Sequence, residues 1–95
     1  MPKGYIIGHV RVTNPGAYSE CVQRDTPIFE RYGATFVVRG GRGEVKEGEA
    51  GDRHMVMEFP TYEAAMAAYN DRDYQAIVGI RRANSEGVLI VAEGT

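Results

Sequence analysis

The sequence predicts one α+β sandwich: a four-stranded antiparallel or mixed sheet with its helices gathered on a single face. Three observations carry this. Apolar patterning alternates between period two and helical spacing in the order βαββαβ over 95 residues. The first strand, Gly4 to Thr13, has a small apolar face (Ile6, Gly8, Val10, Val12) and a second face (Tyr5, Ile7, His9, Arg11) that ends in ionisable groups. The later strands are apolar on both faces, the habit of a sheet covered on both sides.

Each element has a local reason. Asn14-Pro15 starts a helix, with Asn as N-cap and Pro where a missing N–H costs nothing. Tyr18, Cys21, Val22, Phe29 and Tyr32 recur along it at helical spacing. Pro27 should kink or restart this helix, with Thr26 capping the second piece, and Gly33 should end it as a left-handed cap. Ala34 to Arg39 reads as the second strand. Gly40-Gly41-Arg42-Gly43 interrupts it, and Glu44 to Glu47 continues it beyond a bulge, before a turn through Gly48 to Gly51. His54 to Phe59 is the third strand, closed by Pro60. Thr61 caps an alanine-rich helix over Tyr62 to Tyr69. Asn70 to Asp73 breaks it and caps another, from Tyr74 to about Asn84, with Tyr74, Ile77 and Val78 inward. Gly87 opens a last strand, Val88 to Ala92.

Composition narrows the class. Hydrophobic residues at 43%, charged residues at 25% and a formal net charge of −2 describe one ordinary globular domain over residues 1–95. That balance gives no pull toward phosphate backbones or anionic lipid, so neither nucleic acid nor membrane is an expected partner. No apolar run approaches a membrane span, and the start of the chain reads as a strand, not a signal peptide. The single Cys forms no intrachain disulfide, so the expected location is cytoplasmic. There is no His-x-x-x-His or Cys-x-x-Cys spacing, and no metal or cofactor is expected. Gly40 to Gly43 lacks the Lys-Ser/Thr of a P-loop.

Right-handed crossovers put both helical connections on one side of the sheet. The other face, roughly 400 Å² from ~4.8 Å strand spacing and ~3.3 Å rise, approaches the ~300–600 Å² of the largest apolar patches on monomers. A second copy laid sheet to sheet across a twofold axis is the expected cover, which makes the chain a homodimer.

With those strings in hand, the chain resembles the domain-of-unknown-function 1330 family, in the dimeric α/β-barrel group of ferredoxin-like folds. The resemblance rests on Lys3 to Val10, Pro27 to Gly33, Val38-Arg39-Gly40-Gly41 with Glu44-Val45, Glu58-Phe59-Pro60, and Tyr69 to Gln75 with Arg81. A departure is Ala50-Gly51, where the family pattern leads one to expect a bulky aromatic. The resemblance implies a ferredoxin-like fold and a dimer. Related barrels include cofactor-independent monooxygenases, decarboxylases and isomerases, and members with no known chemistry; that neighbourhood is analogy at the level of fold.

Candidate chemistry falls on the face away from the helices. If the bulge follows Arg39, then His9, Arg39, His54 and Glu58 share that face; if the hairpin turns near Gly48 and Glu49, Arg39 lies opposite Glu58, and the parallel neighbour of Glu58 on the first strand is near His9. His9 and Glu58 would then be catalytic, the carboxylate orienting the imidazole, and Arg39 would bind an anionic substrate. Tyr5, Arg72 and Tyr74 would complete the binding residues. The alternative is a neutralising network that sets dimer register. Cys21, on the buried stripe, reads as an inert core thiol.

The expected function is therefore binding of a small organic molecule, anionic groups included, between sheet and helices or between subunits. Two alternatives stand beside it: a cofactor-independent enzyme, or a structural module. RNA recognition is set aside because the central strand positions are Ile7, His9, Val56 and Glu58, not aromatics. An acylphosphatase-like enzyme is set aside because no anion loop follows the first strand.

Overall fold

The computed structural model describes residues 2–95. Its elements are β1 (Gly4–Val12), α1 (Pro15–Glu30), β2 (Thr35–Arg39), β3 (Arg53–Phe59), α2 (Tyr62–Tyr69), α3 (Arg72–Ala83) and β4 (Ser85–Glu93). The sheet runs β2-β3-β1-β4 with every adjacent pair antiparallel. The fold is thus the α+β sandwich expected from the sequence, and the sheet is antiparallel rather than mixed.

The caps behave as their chemistry requires. The Asn14 side chain accepts from the Ala17 N–H, Thr61 Oγ1 from Ala64 N–H at 3.0 Å, and Asp71 Oδ1 from the N–H groups of Asp73 (2.8 Å) and Tyr74 (3.1 Å). With Asp71 as cap, α3 begins two residues before Tyr74. Pro27 does not split α1, which runs unbroken to Glu30. Thr26 is a mid-helix residue whose hydroxyl bonds back to the Val22 carbonyl at 2.7 Å, so it caps nothing.

Apolar burial on the helix side holds the layers together. Ile6 and Val10 of β1, Met57 and Phe59 of β3, Phe29 of α1, Ala65 and Ala68 of α2, and Tyr74, Ile77 and Val78 of α3 are all buried. The Phe29 ring stands edge-on to Phe59 at 6.5 Å and tilts against Tyr74 at 4.8 Å. Alanine on α2 permits close approach to β1, and Gly4 completes the fit: a Cβ there would lie 2.3 Å from the Thr61 carbonyl oxygen. By contrast, the closest backbone neighbours of α1 are in α3 rather than in the sheet.

The other face of the sheet carries Tyr5, Ile7, His9 and Arg11 of β1, Glu58, Val56 and His54 of β3, and Ala92, Ile90, Val88 and Glu86 of β4. None of the helices covers it; Val88 is 57% and Ile90 44% exposed. Among the described residues, no helix is long and apolar enough to cross a membrane.

The register overturns one expectation. β2 pairs Phe36 with Met57 and then Val38 with Val56, so Val37 is an unpaired bulge residue. The irregularity precedes Arg39 instead of following it. One extra residue reverses the alternation, and Arg39, opposite Met55, points to the helix side. Residues 40–52 contain no strand, so the expected continuation through Glu44 to Glu47 does not form.

Candidate functional site

The row His9, Glu58, Arg39 does not exist. Glu58 lies opposite Tyr5 in an antiparallel pair, and His9 lies opposite His54. His9 and Glu58 share the open face but stand four residues apart along the strand, roughly 13 Å at 3.3 Å per residue. The Glu58 carboxylate is satisfied structurally, by Lys3 Nζ at 2.9 Å and the Tyr5 hydroxyl at 3.2 Å. The Lys3 bond, first among the influences on it, holds the carboxylate below its ordinary range. That is the wrong direction for proton handling near neutral pH. His9 and His54 meet Nδ1 to Nδ1 at 3.0 Å, which requires one ring to donate and the other to accept. Arg72 is exposed at the start of α3 and lines no part of the interior cavity between α1, α3 and the sheet. Tyr5, His9 and Glu58 therefore belong to the open face, whereas Arg39 and Tyr74 belong elsewhere.

That elsewhere is a cavity between α1, α3 and the sheet. Its floor is Ile6, Met55, Met57 and Leu89, and aromatic walls come from Tyr18, Phe29, Phe36 and Tyr74. The room left for the centre of a water molecule is ≈ 20 Å³, about what a single water needs. A wider groove of ≈ 350 Å³ runs outside it and shares Tyr18, Val22 and Arg53 as a common wall. The Arg53 guanidinium lies 5.3 Å from the centre of the Tyr18 ring and so forms the partition between the two spaces.

Four charged side chains border this apolar space: Asp25 from α1, Arg39 from β2, Arg53 from β3 and Arg81 from α3. Asp25 sits one turn after Cys21 and one turn before Phe29, inside the buried stripe of α1, and is only 9% exposed. Burial pushes its carboxyl up to about 7, with Arg81 and then Arg39 opposing the shift. Burial likewise raises the Tyr74 phenol to about 12, again against the neighbouring Arg81. Arg81 reaches in from the inner face of α3, and its Nε is buried without a hydrogen-bond partner among the described residues. The exposed Arg39 is held by its bond to Thr26 Oγ1 at 2.8 Å and by stacking 4.0 Å from the Phe36 ring centre. Cys21 is buried, its thiol raised first by burial and then by Asp25, as an inert core thiol should be.

The polar break before α3 positions Tyr74. Asp71 caps that helix and also accepts from the Tyr32 hydroxyl at 2.5 Å, while Arg31 of the same helix end reaches Asp73 at 3.2 Å. The end of α1 and the start of α3 are thereby tied together, and the two helices contribute Asp25 and Arg81 to the lining of the same cavity.

Sequence reasoning missed Asp25. The signal was present: Tyr18, Cys21, Asp25 and Phe29 form one helical stripe, and a carboxylate on an apolar stripe is the anomaly that marks a site.

Comparison with known proteins bears on the fold. A family model described as Domain of unknown function (DUF1330) matches residues 3–95. No curated protein matches the chain in sequence. A protein of unknown function from Rhodopseudomonas palustris superposes with a TM-score of 0.79 at 22% identity, covering 99% of this chain and 83% of that one. SnoaB, a cofactor-independent oxygenase from Streptomyces nogalater, gives 0.66 at 15% identity over 100% of this chain and 95% of its own. An ethyl tert-butyl ether d family protein from Bacillus halodurans gives 0.57 at 14% identity, with both chains fully covered. At these identities the likeness is one of fold.

Proposed function

The chain belongs to the DUF1330 family, and we propose that it binds a small, mostly apolar organic molecule bearing an acidic group in the cavity between helices and sheet. One observation carries the reading: three arginines and a single carboxylate line an otherwise apolar space, and the buried Arg81 Nε has no hydrogen-bond partner among the described residues. A buried donor needs an acceptor, and a ligand oxygen that accepts from Arg81 fits the water-sized space beside it. An apolar pocket with a few convergent polar groups and a shifted carboxyl is the general form of a small-molecule site. The small free volume restricts the buried part of the ligand to one water-sized group, with the remainder in the outer groove beyond Arg53.

The fold likeness to a cofactor-independent oxygenase leaves an enzymatic role open to the same cavity. Binding without turnover is the simpler reading of the geometry. The proposal extends to the assembly. The uncovered sheet face, with Val88, Ile90 and Val38 exposed, is well suited to a second copy of the chain. A cytoplasmic location fits the single unpaired cysteine.

The test of the cavity is thermal shift with benzoate on the wild type and Arg81→Gln. A saturating ligand at a hundred times its Kd adds about 2.7 kcal/mol to stability, a shift of several degrees. Stabilisation of the wild type and not of the variant supports the reading; equal shifts, or none in either protein, overturn it.

A further inference from the structure

We propose that the ligand is a flat carboxylate whose body lies in the outer groove, and that Arg53 is the residue that selects the acid group, taking one carboxylate oxygen at the neck where groove and cavity meet. This rests on the cavity reading above and narrows its ligand to a class, aromatic or conjugated carboxylic acids of about the size of benzoate.

Size decides where the body goes. The inner space admits one water-sized group, whereas the outer groove, at ≈ 350 Å³, falls among small-molecule pockets of ~300–1,000 Å³. Val12, Pro15 and Val22 give the groove apolar walls. The buried Tyr18 and the half-buried Arg53 line both spaces and divide one from the other.

Arg53 is held flat at that division with its donors unused. A Cβ added to Gly40 would lie 2.9 Å from both Cζ and Nη1 of Arg53 and 3.1 Å from Nη2. Such nearly equal distances put the Gly40 backbone against the face of the guanidinium plane, not its edge. Glycine is required there both for its φ of +70° and for the room it leaves. The N–H edge remains free. Arg11, Arg31, Arg39 and Arg82 all donate side-chain hydrogen bonds, but among the described residues Arg53 donates none. It has no ion pair among them either. A guanidinium with its face packed and its edge open is a receptor for a planar anion with two oxygens.

The charges along the path set the orientation. Asp52 lines the outer groove, while Arg39 and Arg81 line the inner space beyond Arg53. Asp25 is the single acid on that inner space, and burial pushes its carboxyl up to about 7, so it carries less than a full charge near neutral pH. A carboxylate is therefore turned away from the outer end and drawn inward. One oxygen takes the water-sized space beside Arg81, and the other meets the edge of Arg53. A neutral amide of the same shape offers one acceptor and turns its NH2 group toward a guanidinium, so the site rejects it.

Calorimetric titration with benzoate and benzamide, alike in shape and different in charge, tests this. The wild type should bind benzoate about tenfold or more tightly than benzamide. Arg53→Gln should lose most of that preference, and Arg53→Lys, which restores the charge without the fork, should recover part of it. Ser19 is exposed and lines the groove but not the inner space. Ser19→Trp should therefore cost most of the benzoate affinity by filling the room for the ring, and it tests the placement even if Arg53→Gln fails to fold. An unchanged preference in Arg53→Gln, or unchanged benzoate affinity in Ser19→Trp, overturns the proposal. Either result, with benzoate binding that still requires Arg81, leaves the cavity reading in place. Benzoate binding that ignores Arg81, or none in the wild type, removes both.

Discussion

Asp25→Asn should stabilise the ligand-free protein, and by an amount that depends on pH in a defined way. The Asp25 carboxyl rises from 3.8 to about 7 on folding. Between those values the folded chain holds a proton that the unfolded chain has released. Stability therefore falls as pH rises through that window and is level above it. At roughly 1.4 kcal/mol per pH unit, the loss amounts to at most roughly 4 kcal/mol, less whatever water entering at the cavity mouth restores. Asparagine has no charge to bury, so the variant should match the wild type near pH 4 and exceed it most at pH 8. Urea denaturation at half-unit steps of pH gives the answer directly. Parallel stability curves for the two proteins would mean that Asp25 ionises as an ordinary surface carboxylate, and the case for it as a buried acid would fall. A natural chain that retains so costly a group in its interior is consistent with a trade of stability for function.

Further outcomes follow from other parts of the fold. Glu58→Gln should leave benzoate binding unchanged, because that carboxylate is tied to Lys3 and Tyr5 on the opposite face; a loss of binding would return the site to the open sheet. Ile90→Glu, on the exposed centre of β4, should convert a ~21 kDa species, twice the 10.5 kDa chain, into a folded monomer by light scattering, and a wild type that is itself monomeric would contradict the proposed dimer. Phe59→Ala removes a ring that is 1% exposed and packed edge-on to Phe29, and should cost about 3–5 kcal/mol in urea denaturation. Gly51→Ala should destabilise as well, since the residue has φ +72° and an added Cβ would lie 2.6 Å from the Val10 carbonyl; an unchanged urea midpoint would mean the loop sits less tightly on β1.

The topology was legible because it rests on local signals. Asn14-Pro15, Thr61 and Asp71 announce helix starts through hydrogen-bonding chemistry that belongs to the residues themselves. Alternation in β1 assigned its two faces correctly, and with them the uncovered surface. The site was less legible, for two physical reasons. The side on which Arg39 emerges depends on where β2 adds its extra residue, and Phe36-Val37-Val38, apolar throughout, offers no pattern to locate it. Asp25 was overlooked because an acid within a helix is by default assigned to the solvent side, although its spacing from Cys21 and Phe29 put it among buried neighbours. Arg81 entered only as part of a family resemblance; that its Nε is buried without a partner among the described residues is a property of packing between α1 and α3, which no local pattern encodes.

The most direct measurement locates a bound ligand. Of the four methionines in the chain, Met55 and Met57 form the cavity floor, whereas Met66 lies on α2 and does not line it. With methyl-labelled methionine, titration with benzoate should move the Met55 and Met57 NMR signals and leave Met66 in place. Still signals for Met55 and Met57 at saturating benzoate, or shifts confined to labelled Val88 and Ile90 on the open face, would contradict an interior site.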